Sequence, residues 1–128
     1  MVMIERFHPA SFAPATVPLS HATKAGDFVF VSGQVPTTAD GSIYIGDFEA
    51  EVNQTLDNVE AVLAAAGARA DQIVKVNAFL SNGTLFAPFN EVYARRFGAA
   101  PPARTTVVVG FGRGDVRVEV ECIAYVGD

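Results

Sequence analysis

The sequence holds a single cysteine, Cys122, and two histidines, His8 and His21, among its 128 residues. A lone cysteine excludes an intrachain disulfide and a thiolate metal cluster. Neither histidine has another His, Cys or carboxylate at ligand spacing, so no metal site is expected. Basic residues are scarce as well. Nine Lys and Arg against fourteen Asp and Glu give a formal net charge of −5, and no basic run exceeds Arg95-Arg96. That balance argues against a grip on a nucleic-acid backbone, which needs clustered cations. No apolar stretch approaches the ~20 residues of a membrane span. A charged N-terminal segment followed by an apolar core, the mark of a signal peptide, is also missing. One cytoplasmic domain over residues 1–128, with no nucleic-acid or membrane partner, is the expectation.

Apolar residues are abundant: they make up 50% of the chain, with 18% charged. In a chain this small, part of that apolar surface is expected to be hidden by self-association.

Periodicity divides the chain into two helices and several strands. From Phe48 to Ala66, Val52, Leu56, Val59, Leu63 and Ala66 form one stripe at helical spacing, with Glu49, Asn53, Asp57 and Glu60 facing water. Asp47 caps its start and Gly67 its end. A second helix is predicted over Phe86 to Phe97, with Pro88 in its first turn and Phe86, Phe89, Tyr93 and Phe97 turned inward as core. Strands are predicted at Phe28 to Ser32, Ile73 to Leu80, Thr105 to Val109 and Val116 to Tyr125. Weaker signals lie at Met3 to Phe7 and Ser42 to Ile45. Two helices cannot cover both faces of a sheet, so the fold class is α+β: a single mixed β-sheet with both helices packed on one face.

The glycine-rich segment Gly110 to Asp115 follows a strand but precedes another strand, which excludes the dinucleotide-binding fingerprint. Read as a hairpin turn, it pairs Val109 with Val116, Val107 with Val118 and Thr105 with Val120 on one side. Thr106 then faces Glu119, and Arg104 faces Glu121, with Arg117 farther along that side. The valines are expected under the helices, with Cys122 as a buried small hydrophobe among them. Arg104, Thr106, Glu119 and Glu121 share the opposite face, and Arg104 follows the rigid Pro101-Pro102-Ala103 stretch. Two readings of that polar face stand open. It is either plainly solvated, with an Arg104–Glu121 ion pair, or it lines a subunit interface where the arginine grips a small anion and a carboxylate orients water.

Five segments, taken in order, resemble the reactive-intermediate deaminase family, also called the YjgF/RidA family. They are Pro18-Leu19-Ser20-His21-Ala22, Phe30-Val31-Ser32-Gly33-Gln34-Val35-Pro36, Phe89-Asn90-Glu91-Val92-Tyr93, Pro102-Ala103-Arg104-Thr105 and Val118 through Ala124. The resemblance implies a chorismate-mutase-like fold and a homotrimer with clefts between neighbours. It further implies cofactor-free hydrolysis of 2-aminoacrylate- or 2-iminobutyrate-type enamines and imines to 2-keto acids and ammonia. Carried over by position, Arg104 binds the substrate carboxylate and Glu119 positions the hydrolytic water. Ser32, Asn90, Thr106 and Leu19 line the cleft, and Gly33 allows close backbone approach. Leu19 stands where many active members have a tyrosine, and Thr106 where cysteine is frequent. Because Leu19 offers no hydrogen bond, a non-catalytic small-carboxylate-binding or regulatory protein on the same scaffold is the alternative.

Overall fold

Helix α1 forms where the apolar stripe predicts it, from Phe48 to Ala65, in a computed structural model that describes residues 3–128. The Asp47 carboxylate accepts from the Ala50 amide at 2.8 Å, which satisfies one of the donors left over at the helix start. Gly67 follows the end with φ at +79°, a conformation that a side chain would strain. Val52, Leu56, Val59 and Leu63 are buried as expected. Glu51, Thr55 and Asn58 are buried too, although hydropathy does not mark them. Helix α2 runs from Phe86 to Phe97, and Pro88 lies in its first turn, where no amide hydrogen bond is lost. Phe89, Val92 and Tyr93 are buried, but Phe86, expected inside, is 47% exposed.

The strands are β1 (Ile4–Phe7), β2 (Ala22–Ala25), β3 (Phe28–Gln34), β4 (Ile73–Leu80), β5 (Ala103–Val108) and β6 (Val118–Tyr125). They form one six-stranded sheet in the order β1-β2-β3-β6-β4-β5. The β4–β5 pair is parallel and the other pairs are antiparallel, so the sheet is mixed. Strand β2 lacks the apolar alternation that would mark it in sequence; it is recruited between β1 and β3 by backbone pairing. The weak strand at Ser42 to Ile45 shrinks to one bridge, Thr37 to Ile43. Both helices lie on one face, α1 over β3 and β6 with α2 against it. Beneath them Val29, Val31, Val76, Ala78, Leu80, Val118, Val120, Cys122 and Ala124 form the core. Each of the larger side chains contributes roughly 1.5–3 kcal/mol by leaving water.

The expected hairpin between β5 and β6 does not form. In β5, Arg104 pairs with Val76 and Thr106 with Ala78. In β6, Cys122 pairs with Val76 and Glu121 with Asn77, on the other side of β4. The fourth strand therefore separates the two strands that were expected to touch. A two-residue hairpin turn needs positive φ, and none of Gly110, Gly112 and Gly114 adopts it. Instead the Val109 amide donates to Leu80 O at 2.9 Å and the Ser81 amide to Arg117 O at 3.0 Å, so the segment passes across the end of β4. Parallel pairing of β4 with β5 requires a crossover, and α2 supplies it.

This topology overturns the expected sharing of a face. Arg104 and Thr106 lie in register with the buried Val76 and Ala78, on the helix side of the sheet. Glu119 and Glu121 are in register with Phe79 and Asn77, on the open side. Val118 and Val120 are under the helices as predicted, whereas Val107 turns to the open face and is 42% exposed. The proposed Arg104–Glu121 ion pair is excluded, and Glu121 accepts from the Asn77 amide group at 3.1 Å instead. Arg117 likewise leaves the open side and reaches Glu51 of α1, with N–O separations of 2.6 and 3.2 Å.

Candidate functional site

Arg104 is held in a cradle built by α2. Its guanidinium donates to the Asn90 side-chain oxygen Oδ1 at 2.7 Å. Its central carbon lies 4.7 Å from the centre of the Tyr93 ring, 5.4 Å from Phe89 and 5.8 Å from Phe86. Positions 86, 89, 90 and 93 recur at helical spacing, so one face of α2 supplies all four groups. Each aromatic face favours the cation by about 0.5–1 kcal/mol, more where water is excluded.

The cradle leaves the charge uncompensated. Arg69, Arg95, Arg96, Arg113 and Arg117 each pair with a carboxylate. Among the described residues Arg104 pairs with none, although it is half-buried. The Thr106 hydroxyl and the Tyr93 phenol are buried without a hydrogen-bond partner. Burial pushes the Tyr93 phenol up to about 12, against the opposing pull of Arg104, so the group keeps its proton and remains a donor. An orphaned buried polar group costs about 1–3 kcal/mol. A half-buried cation beside such groups is suited to a small anion with further acceptor atoms.

Glu119 belongs to a second cluster on the open face. The β3–β6 register shifts between Val31 and Gln34, which makes a bulge of Ser32 and Gly33. A Cβ added at Gly33 would run into the Glu119 carboxylate, so only glycine permits this approach. The Ser32 hydroxyl donates to Ser20 O at 2.6 Å and ties the bulge to the segment that carries Leu19, which is 45% exposed. Burial first, then the charge of Glu121, raises the Glu119 carboxyl above its ordinary range. Such a group accepts a proton more readily than a surface carboxylate.

The predicted site residues thus fall into two sets. Arg104, Asn90 and Thr106 gather on the helix side, and Ser32, Gly33 and Glu119 gather on the open side with Leu19 in the segment next to them. The sequence reading missed the part of Phe86, Phe89 and Tyr93 in cradling the arginine, because an aromatic stripe at helical spacing reads as core. His21, expected to make a structural hydrogen bond, lies 3.2 Å from the Gln34 amide nitrogen. Cys122 is buried as expected, and burial pushes its thiol up to about 12. A groove of about 280 Å³ near Ile73, Arg96, Phe97 and Pro102 contains none of the predicted site residues. Among the described residues, no helix is long and apolar enough to cross a membrane.

Fold and site together define a small α+β protein with a counter-ion-free arginine at its sheet edge. Residues 10–126 match the family model described as endoribonuclease L-PSP. A RutC family protein of Pyrococcus horikoshii is 43% identical over 109 residues, covering 84% of this chain and 86% of that one. The crystal structure of yeast Mmf1, named a mitochondrial protein of Saccharomyces cerevisiae, superposes with a TM-score of 0.91 at 38% identity, covering 98% of this chain and all of that one. RidA from the Antarctic bacterium Psychrobacter superposes at 0.88 with 30% identity, covering 95% and 99%. The chain belongs to this family, which is the YjgF/RidA family.

Proposed function

We propose that the protein hydrolyses 2-imino acids, or their enamine tautomers, to 2-keto acids and ammonia in a cleft between copies of the chain. Family membership supports a general role in enamine or imine deamination. The observation that carries the particular reaction is Arg104, a half-buried guanidinium with no carboxylate among the described residues to neutralise it. A substrate carboxylate supplies that partner through two parallel charge-assisted hydrogen bonds. Glu119 draws a proton from water as the water adds to the protonated C=N carbon and returns it to nitrogen; as ammonia leaves, the remaining hydroxyl gives its proton to Glu119 and becomes the keto oxygen. A protonated imine is already electrophilic, so orientation and one placed water suffice.

Because the two clusters occupy opposite faces of one sheet, the Arg104 set of one copy works with the Glu119 set of a neighbour. A homotrimer is the assembly proposed. The exposed apolar side chains of the open face, Phe28, Phe30, Val107 and Tyr125, support burial against another copy.

The test generates 2-iminobutyrate in situ with an amino-acid oxidase and follows its loss with and without the protein. Acceleration is expected; none across several amino-acid precursors defeats the reading. The acceleration requires ionised Glu119, whose pKa is raised. It is therefore lost, as pH falls, at a higher pH than the 4.5 of an ordinary glutamate. Glu119→Gln removes that acid limb along with most of the rate. Gly33→Ala forces the Glu119 carboxylate aside and is expected to lower kcat about 10- to 100-fold. A fully active Gly33→Ala protein excludes Glu119 from the chemistry.

Leu19 favours a second reading, a carboxylate-binding protein without turnover, because it offers the ligand no hydrogen bond. Carboxylates that raise the melting temperature of a protein inactive on every imine tested select that reading. The family model's name points to RNA cleavage, but a net charge of −5 supplies no basic groove for it.

A further inference from the structure

We propose that Gln34, with His21 as its acceptor, is the positioning residue that holds the Ser32–Gly33 bulge against Glu119. This rests on Glu119 acting as proposed above. Gln34 is 3% exposed, an unusual place for an amide on a strand. Its side-chain nitrogen is 3.1 Å from Ser32 O and 3.2 Å from His21 Nδ1. A backbone carbonyl only accepts, so the group facing Ser32 is the amide NH2 and not its oxygen. One of its hydrogens goes to Ser32 O, and the other is directed at His21 Nδ1.

That second bond fixes the tautomer. His21 Nδ1 must carry its lone pair, and the ring proton is on Nε2. The same histidine joins the bulge through its backbone, since the Ser32 amide donates to His21 O at 2.9 Å. The His21 amide is bonded to Phe7 O at 3.1 Å, so strand β1 anchors the arrangement. The carbonyl that Gln34 holds belongs to the peptide bond running into Gly33. Losing that bond frees the residue whose missing Cβ lets Glu119 approach.

Protonation of Nδ1 is incompatible with a donor facing it. The amide then gives up one partner, because it cannot turn its oxygen to His21 without turning it against Ser32 O as well. His8 faces the His21 ring, with centroids 4.8 Å apart, and Phe12 closes another side edge-on at 5.1 Å. Arg6 on β1, Lys24 on β2 and Glu119 on β6 are carried by the surrounding strands, but His8 is the group whose charge acts on the ring. Burial, then His8, lowers the His21 pKa from 6.5, which keeps the ring neutral and the arrangement intact at neutral pH.

The test uses the whole chain labelled with nitrogen-15 and carrying Glu119→Gln, so that Gly33 no longer senses the titration of its neighbour. His21 Nδ1 is expected to be unprotonated at neutral pH. The Gly33 amide signal is expected to move with the midpoint of the His21 ring as pH falls from neutral to about 5. His21→Asn keeps an acceptor but cannot titrate, and adding it should abolish that movement. A protonated Nδ1 at neutral pH, a stationary Gly33, or movement that survives His21→Asn overturns the proposal. In the otherwise native protein Gln34→Leu should lower kcat about 10- to 100-fold with KM little changed, because the Arg104 grip is untouched. His21→Asn should stay within about twofold of the parent at neutral pH. Full activity of Gln34→Leu also overturns it. If the native protein hydrolyses no imine, the deaminase reading fails, and the amide titration still decides the role of Gln34.

Discussion

Arg104→Ala is expected to lower kcat/KM on 2-imino acids at least about 100-fold, since two charge-assisted hydrogen bonds of about 1.5–3 kcal/mol each are lost. The same substitution should leave the melting temperature unchanged or slightly raised. A structural arginine behaves differently: it has a carboxylate partner, and its removal strands that partner. Among the described residues Arg104 has only the neutral Asn90 side-chain oxygen and three aromatic faces, so the folded protein bears the desolvation of a cation without full return. Loss of function without loss of stability is the signature of a group kept for its ligand. Arg104→Lys retains the charge but not the fork, and its rate should fall between the two. The coupled imine assay and a thermal melt check both halves. An Arg104→Ala protein as active as its parent removes the carboxylate grip from the mechanism.

Arg117→Met is expected to destabilise the protein by about 3–5 kcal/mol at neutral pH, and Glu51→Gln by clearly less. The asymmetry follows from exposure. The Glu51 side chain is 2% exposed while that of Arg117 is 40% exposed. Without its arginine the glutamate remains as a buried charge, whereas an arginine without the glutamate can turn to water. Glu51 also accepts from the Gly46 amide at 3.3 Å, and Arg117 lies 5.3 Å from the Phe48 ring, so the pair ties β6 to the start of α1. Denaturant unfolding of both variants at one protein concentration and neutral pH measures this. Equal losses for the two would mean that burial of the carboxylate does not govern the pair.

The helices were legible in the sequence because each carries its own proof. An apolar stripe, Asp47 and Gly67 are local signals, and α1 and α2 fall within a residue of their predicted bounds. Strand existence was nearly as legible, but strand pairing was not. Alternation in Thr105 to Val109 and Val116 to Tyr125 fits a hairpin well, yet alternation says only which residues share a face of their own strand. Which strand lies alongside is decided by the crossover through α2 and by the end of β4, both outside the two strands themselves. The wrong pairing put Arg104 and Glu119 on one face. The family resemblance named its residues by position and so did not depend on that pairing, whereas the pattern misplaced them. Gln34 and Glu51 were invisible as polar participants for a related reason: a polar group buried with a partner elsewhere in the chain leaves no periodic trace.

The division of the site between two faces has a genetic consequence. On the proposed pairing, a chain lacking Arg104 spoils one cleft of its assembly, and a chain lacking Glu119 spoils the adjacent one. Mixed assemblies of the two therefore retain whole clefts, and the two alleles complement each other. A chain carrying both lesions disables two clefts wherever it assembles, so its dominance over a normal copy exceeds that of either single lesion.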